Sequence, residues 1–128
     1  MKGFLISVFI AVVLLNTSCT KENISERDLV NRWHLIETLI DPGDGSGTFQ
    51  KVESDAIIEF FDDNTLRYSR SFCGEENSLK TGTYSFVENE IYPECDPIVT
   101  FSYKIENNRL IIYYNCIEGC AEKFELIK

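Results

Sequence analysis

The sequence predicts an all-β domain: a closed or nearly closed antiparallel up-and-down β-barrel of about eight strands, entered through a short N-terminal helical turn. Three observations lead there. Stretches of alternating apolar and polar residues recur along the chain, and a period of two marks a half-buried strand. The connections between them are short and rich in Asp, Asn and Gly, so no crossover is long enough for parallel pairing. A meander of so many strands loses its unpaired edges by closing on itself.

Taken in order, Ser25 and Asp28 have the S-x-x-D form of a helix start, leading to Leu29 and Val30. Trp33 to Ile40 alternates, with Trp33, Leu35, Glu37 and Leu39 on one face and His34, Ile36, Thr38 and Ile40 on the other. Asp41 to Gly47 reads as a flexible connecting loop. Thr48 to Val52 is a weak strand, and Ala56 to Phe61 a strong one, apolar on both faces. Asp62-Asp63-Asn64 is a turn by composition. The chain returns with Leu66, Tyr68, Arg70 and Phe72 on one face, and Lys80 to Val87 follows with Gly82, Tyr84 and Phe86 facing together. Ile98 to Ile105 aligns Val99, Phe101, Tyr103 and Ile105. Asn107-Asn108 makes a tight turn into Leu110 to Tyr114, Cys116 to Cys120 closes the last hairpin, and Ala121 to Ile127 ends the chain. That makes seven strands, with Thr48 to Val52 as the candidate eighth.

The start of the chain has a different chemistry. Lys2 precedes an apolar run from Phe4 to Leu15, followed by Asn16, Thr17, Ser18 and Cys19. The run is shorter than the roughly 20 apolar residues of a spanning helix, and its order is that of a secretory signal. A Cys directly after the small residues resembles a bacterial lipoprotein signal. The resemblance implies that residues 1–18 are removed, that Cys19 carries the acyl chains, that 19–27 form a lipid-anchored tether, and that 28–128 form the domain. It also implies a lipid anchor in the bacterial outer membrane, facing the periplasm or the cell surface. The alternative is an ordinary secretory signal with Cys19 left free. Lys21-Glu22 resembles the Lys-plus-acid signal that sends some Bacteroidetes lipoproteins to the surface.

Lys2 is the only charge in the leader, so removing it takes the formal charge from −9 to −10. An acidic domain repels phosphate backbones, which excludes nucleic acid as a partner. It also disfavours attachment to anionic lipid, so membrane contact is expected through the acyl chains alone.

Four cysteines follow Cys19: Cys73, Cys95, Cys116 and Cys120. An even number in a small exported domain favours disulfides. Of three possible pairings, Cys73–Cys95 with Cys116–Cys120 is preferred, because the second pair spans a hairpin end where opposed positions lie close. A four-Cys zinc site is the alternative, but the paired C-x2-C spacing of ribbons and fingers is absent. No metal and no cofactor is expected.

Several pieces together resemble the lipocalin-like domain of small Bacteroidetes lipoproteins. They are L-V-N-R-W-H-L (Leu29 to Leu35), E-F-F-D-D-N-T-L-R-Y (Glu59 to Tyr68), K-T-G-T-Y-S-F (Lys80 to Phe86), Y-K-I-E-N-N-R-L-I-I (Tyr103 to Ile112) and C-I-E-G-C-A-E-K-F (Cys116 to Phe124). The resemblance implies a lipocalin-like barrel without known catalytic residues.

Enzyme chemistry lacks supplies. His34 is the single histidine and its alternation places it outside, and no G-x-S-x-G elbow exists. Carboxylates are plentiful but no pair stands out, and Glu75-Glu76 reads as a solvated turn. The Gly43, Gly45, Gly47 loop lacks the following helix a phosphate loop needs. It also lacks the third acid and terminal Glu of a calcium loop. Arg70 shares the inward face with Tyr68 and Phe72, so it needs a partner. Glu37 on the Trp33 face is the expected one. The functional reading of Arg70 is an anchor for a ligand carboxylate or phosphate; the bland one is a structural ion pair or an Arg reaching water at the mouth.

An eight-strand barrel is either filled by side chains or holds one small ligand, and the inward rings favour filling. Ile36, Ile40, Ile57 or Ile58, Ile111 and Tyr113 on the opposite faces suggest an exposed apolar patch. The expected activity is therefore binding rather than catalysis. The partner is a small apolar or amphipathic ligand at the barrel mouth, lined by Tyr68, Arg70, Tyr84 and Tyr103. The alternative is an envelope protein, with the chain as an inhibitor or accessory subunit.

Overall fold

The computed structural model describes residues 26–74 and 80–128. The leader, Cys19, Lys21-Glu22, Ser25 and Glu75-Glu76 lie outside the described residues.

One helical turn, α1 (Glu26–Leu29), leads into nine strands. These are β1 (Arg32–Ile40), β2 (Gln50–Lys51), β3 (Ile57–Phe60), β4 (Thr65–Tyr68), β5 (Thr81–Ser85), β6 (Glu90–Pro93), β7 (Phe101–Glu106), β8 (Arg109–Tyr114) and β9 (Cys120–Leu126). All pairings are antiparallel, and β9 returns to β1 from Trp33↔Leu126 to Ile40↔Cys120. Eight strands therefore close an up-and-down barrel, as the alternation predicts. The eighth wall strand is β6, however. The Thr48 to Val52 candidate contributes only β2, which pairs with Glu37 and Thr38 on the same edge of β1 as β3 and extends that edge toward the other end instead of adding a wall strand. The sequence Glu90-Ile91-Tyr92-Pro93 ends in a Pro, which reads as a strand breaker; here Pro93 stands at the strand's end.

The two ends of the barrel differ. At one end the hairpins turn on asparagines with positive φ: Asn64 (65°), Asn89 (56°), and the pair Asn107 (51°) and Asn108 (59°). Asn tolerates this left-handed region, and two successive positive φ values suit the twist of a two-residue hairpin. Leu29 is fully buried at this end, and the Trp33 indole Nε1 donates to its carbonyl at 3.0 Å. The helical entry is thereby pinned across the barrel base. At the other end lie the connections 41–49, 94–100 and 115–119 and the described residues 69–74 and 80 of the fourth, braced by disulfides Cys73–Cys95 and Cys116–Cys120. Both preferred pairings are present, so these thiols are not a zinc site.

Aromatic rings fill the axis. Phe60 packs on Tyr84 and Tyr103 in the lower half (centroids 5.1 and 6.2 Å). In the upper half Tyr68 meets Phe72 and Phe124 (5.1 and 5.9 Å), and Phe101 meets Tyr114 at 4.8 Å. Edge-on and tilted ring pairs of this kind add about 0.5–1.5 kcal/mol each beyond their buried area.

Two expectations about faces are corrected. In β1 the register steps from Leu35↔Phe124 to Glu37↔Lys123, so two residues of β1 advance against one of β9. This bulge at Ile36 turns every later side chain to the opposite face. Glu37 consequently leaves the Trp33 face and meets Lys123 on the wall, Nζ to Oε2 at 2.7 Å. The expected outer apolar patch is also broken up. Of its two alternatives, Ile57 is on the outer wall opposite His34, and Ile58 is inside and fully buried. Ile111 is buried on the outer wall, flanked in register by Lys104 and Lys123, whose ammonium lies 4.0 Å from the Phe49 ring centroid. Lysine stems cover apolar surface while their charges stay wet. His34 is on the wall as expected, bonded through Nε2 to the Ser54 carbonyl.

Candidate functional site

The open end is built from four connections, and two of them interlock. The Asp41 carboxylate accepts backbone N–H bonds from Gly43 (2.7 Å), Gly45 (3.0 Å) and Gly47 (2.8 Å). Those amides, Gly47 first, hold the Asp41 pKa below the usual carboxylate range. The loop that reads as flexible is thus wound around one side chain. A Cβ on Gly47 would lie 2.7 Å from Asp41 Cα, so only glycine closes it. Asp41 N–H in turn donates to the Gly119 carbonyl at 3.0 Å, docking this loop on the β8–β9 hairpin.

Between them is a cleft of about 600 Å³, within the size range of small-molecule sites. Its apolar wall includes Leu39, Ile40, Ile117, Ala121 and the Cys116–Cys120 disulfide. Ile40 is 78 % exposed and Ile117 completely so. Its polar side carries Arg70, Tyr114 and Glu122, with Asp41 and Glu118 at the rim.

Glu122 organises the polar side. Its side chain is mostly buried, and the alternation of β9 sets it beside Phe124 on the inner face. Oε2 accepts the hydroxyls of Tyr68 at 2.8 Å and Tyr114 at 2.5 Å, and Oε1 accepts from Arg70 Nη1 at 3.2 Å. Burial, followed by the Glu122 charge, pushes the Tyr68 and Tyr114 pKa values well up, so both phenols act as donors. Arg70 has its partner here, in place of the expected Glu37. Strand β4 ends at Tyr68, which lets Arg70 leave the interior and reach water with more than half its side chain exposed.

Of the four tyrosine and arginine positions expected to line one site, the structure brings two together. Tyr68 and Arg70 converge on Glu122. Tyr84 donates to the Phe61 carbonyl at 2.6 Å and Tyr103 to the Ser85 carbonyl at 3.2 Å, both toward the asparagine-turn end. Their hydroxyls are consumed by backbone acceptors far from the cleft. Sequence reasoning missed Glu122 and Ile117. Glu122 stands two residues from Phe124, so strand alternation carried the signal; Ile117 sits in a turn, where periodicity carries none.

No protein-family model, curated protein or solved structure matches this chain.

Proposed function

We propose that this chain is a lipid-anchored envelope lipoprotein with a lipocalin-like barrel that binds a small apolar or amphipathic ligand at its open end. The observation that carries this reading is the cleft itself. It joins exposed isoleucines to a pre-formed Arg70–Glu122–Tyr114 polar side, and an apolar pocket with a few convergent polar groups is what small-ligand sites look like. Because rings occupy the barrel axis, the ligand lies across the mouth rather than deep inside. The lipoprotein part rests on the leader and Cys19. The described residues enter the barrel through α1, at the end opposite the mouth, which is compatible with an anchor that leaves the mouth clear of the membrane.

The test is native mass spectrometry of Thr20–Lys128 purified from an oxidising compartment without detergent. Expected is an added mass that leaves on denaturation and is lost in Ile117→Asp. A bare mass in wild type would overturn the carrier reading. It would favour a second one, a protein-interaction module, which the filled axis and the exposed Ile40, Ile98 and Ile117 at one end support.

A further inference from the structure

We infer that the polar group of the ligand is a cation, so that the cleft takes a cationic amphiphile: an amine or quaternary ammonium carrying an apolar chain. The inference rests on the reading of the cleft as a binding site and goes beyond it. Three carboxylates, Asp41, Glu118 and Glu122, line the cleft with one guanidinium, Arg70. Arg70 and Glu122 are paired with each other. A ligand anion at Arg70 would stand close to the Glu122 carboxylate, and one that drew Arg70 away would leave a mostly buried carboxylate with only hydroxyl partners, which is costly.

A cation meets no such cost. Asp41 keeps its negative charge, held in place by three amides. Among the described residues Glu118 has no hydrogen-bond or ion-pair partner, and it stands beside Ile117 on the apolar wall. The neighbouring connections at this end add Asp44, Glu94 and Asp96 against Lys80, and an excess of one sign of charge around a cleft concentrates ligands of the other. The exposed Ile40 and Ile117 supply apolar area whose burial contributes roughly 25 cal/mol per Å². Charge complementarity and an apolar wall thus select the same class of ligand.

Three amphiphiles with the same decyl chain separate the possibilities: decyltrimethylammonium, decyl maltoside and decanoate. Each is titrated calorimetrically below its micelle concentration into the full chain carrying Cys19→Ser, secreted so that no acyl chain competes. Expected is binding of the ammonium roughly threefold to fivefold tighter than the maltoside, the scale of one exposed ion pair. The preference should shrink with added salt and in Glu118→Gln, while Ile117→Ser weakens both. Equal or tighter binding of decanoate, or an undiminished preference in Glu118→Gln, overturns the cation and leaves the cleft standing. Absence of binding by all three removes the cleft as a site, and the inference with it.

Discussion

Glu122 shows how one side chain converts a structural interior into a candidate site. Its carboxylate takes two phenols from inside the barrel and a guanidinium from the rim. The tyrosines around the axis follow a common rule: burial first raises the pKa of Tyr68, Tyr84, Tyr103 and Tyr114, and at Tyr68 and Tyr114 the Glu122 charge adds to it. A phenol whose folded pKa is raised holds its proton when the unfolded chain has lost it. Its contribution to stability is therefore intact below the ordinary phenol value of about 10 and is lost as pH rises above it. In an alkaline titration followed by phenolate absorbance, part of the six tyrosines should ionise only as near-UV dichroism collapses. Ionisation of all six with the dichroism unchanged would contradict the burial.

At the scale of the element, the wall depends on one close approach of backbones. Gly82 of β5 is paired to Leu66 on one side and Pro93 on the other. A Cβ there would lie 2.7 Å from the Tyr92 carbonyl oxygen and 2.9 Å from Pro93 Cα. Both contacts are backbone, so relief requires β5 and β6 to part, and a strand glycine marks such an approach. Gly82→Ala should cost about 1–3 kcal/mol, the range for overpacking, read from the urea midpoint. A midpoint equal to wild type would show that the strands give way freely. The bulge at Ile36 is the other element-scale device. It sends Glu37 outward and, by the β1–β9 register, brings Thr38 opposite Glu122, so one extra residue decides which side chains line the cleft.

For the molecule as a whole, both disulfides stand at the open end, where connections are longest and pairing is thinnest. The opposite end is held by α1, Leu29 and the Trp33 bond. The loop-entropy estimate assigns ~3.4 kcal/mol to Cys73–Cys95 and ~2 kcal/mol to Cys116–Cys120, from separations of 22 and 4 residues. Urea unfolding of the paired serine variants should therefore show the larger loss for Cys73→Ser/Cys95→Ser. The reverse order would mean that the rim hairpin, rather than loop closure, governs stability.

The alternation in Leu66–Tyr68, Phe101–Tyr103 and Leu110–Ile112, with Asn and Asp at the turns, was enough to define the meander, its closure and its aromatic filling. These are local properties: a period of two and a turn residue depend on near neighbours along the chain. The tertiary structure alone decided that Arg70 pairs with Glu122, 52 residues away, that Glu37 faces outward, that β6 completes the ring, and that Tyr84 and Tyr103 point away from the cleft. Each depends on register across the barrel. Register is set by which distant side chains pack together, and a single bulge reverses it without leaving a mark in the local pattern.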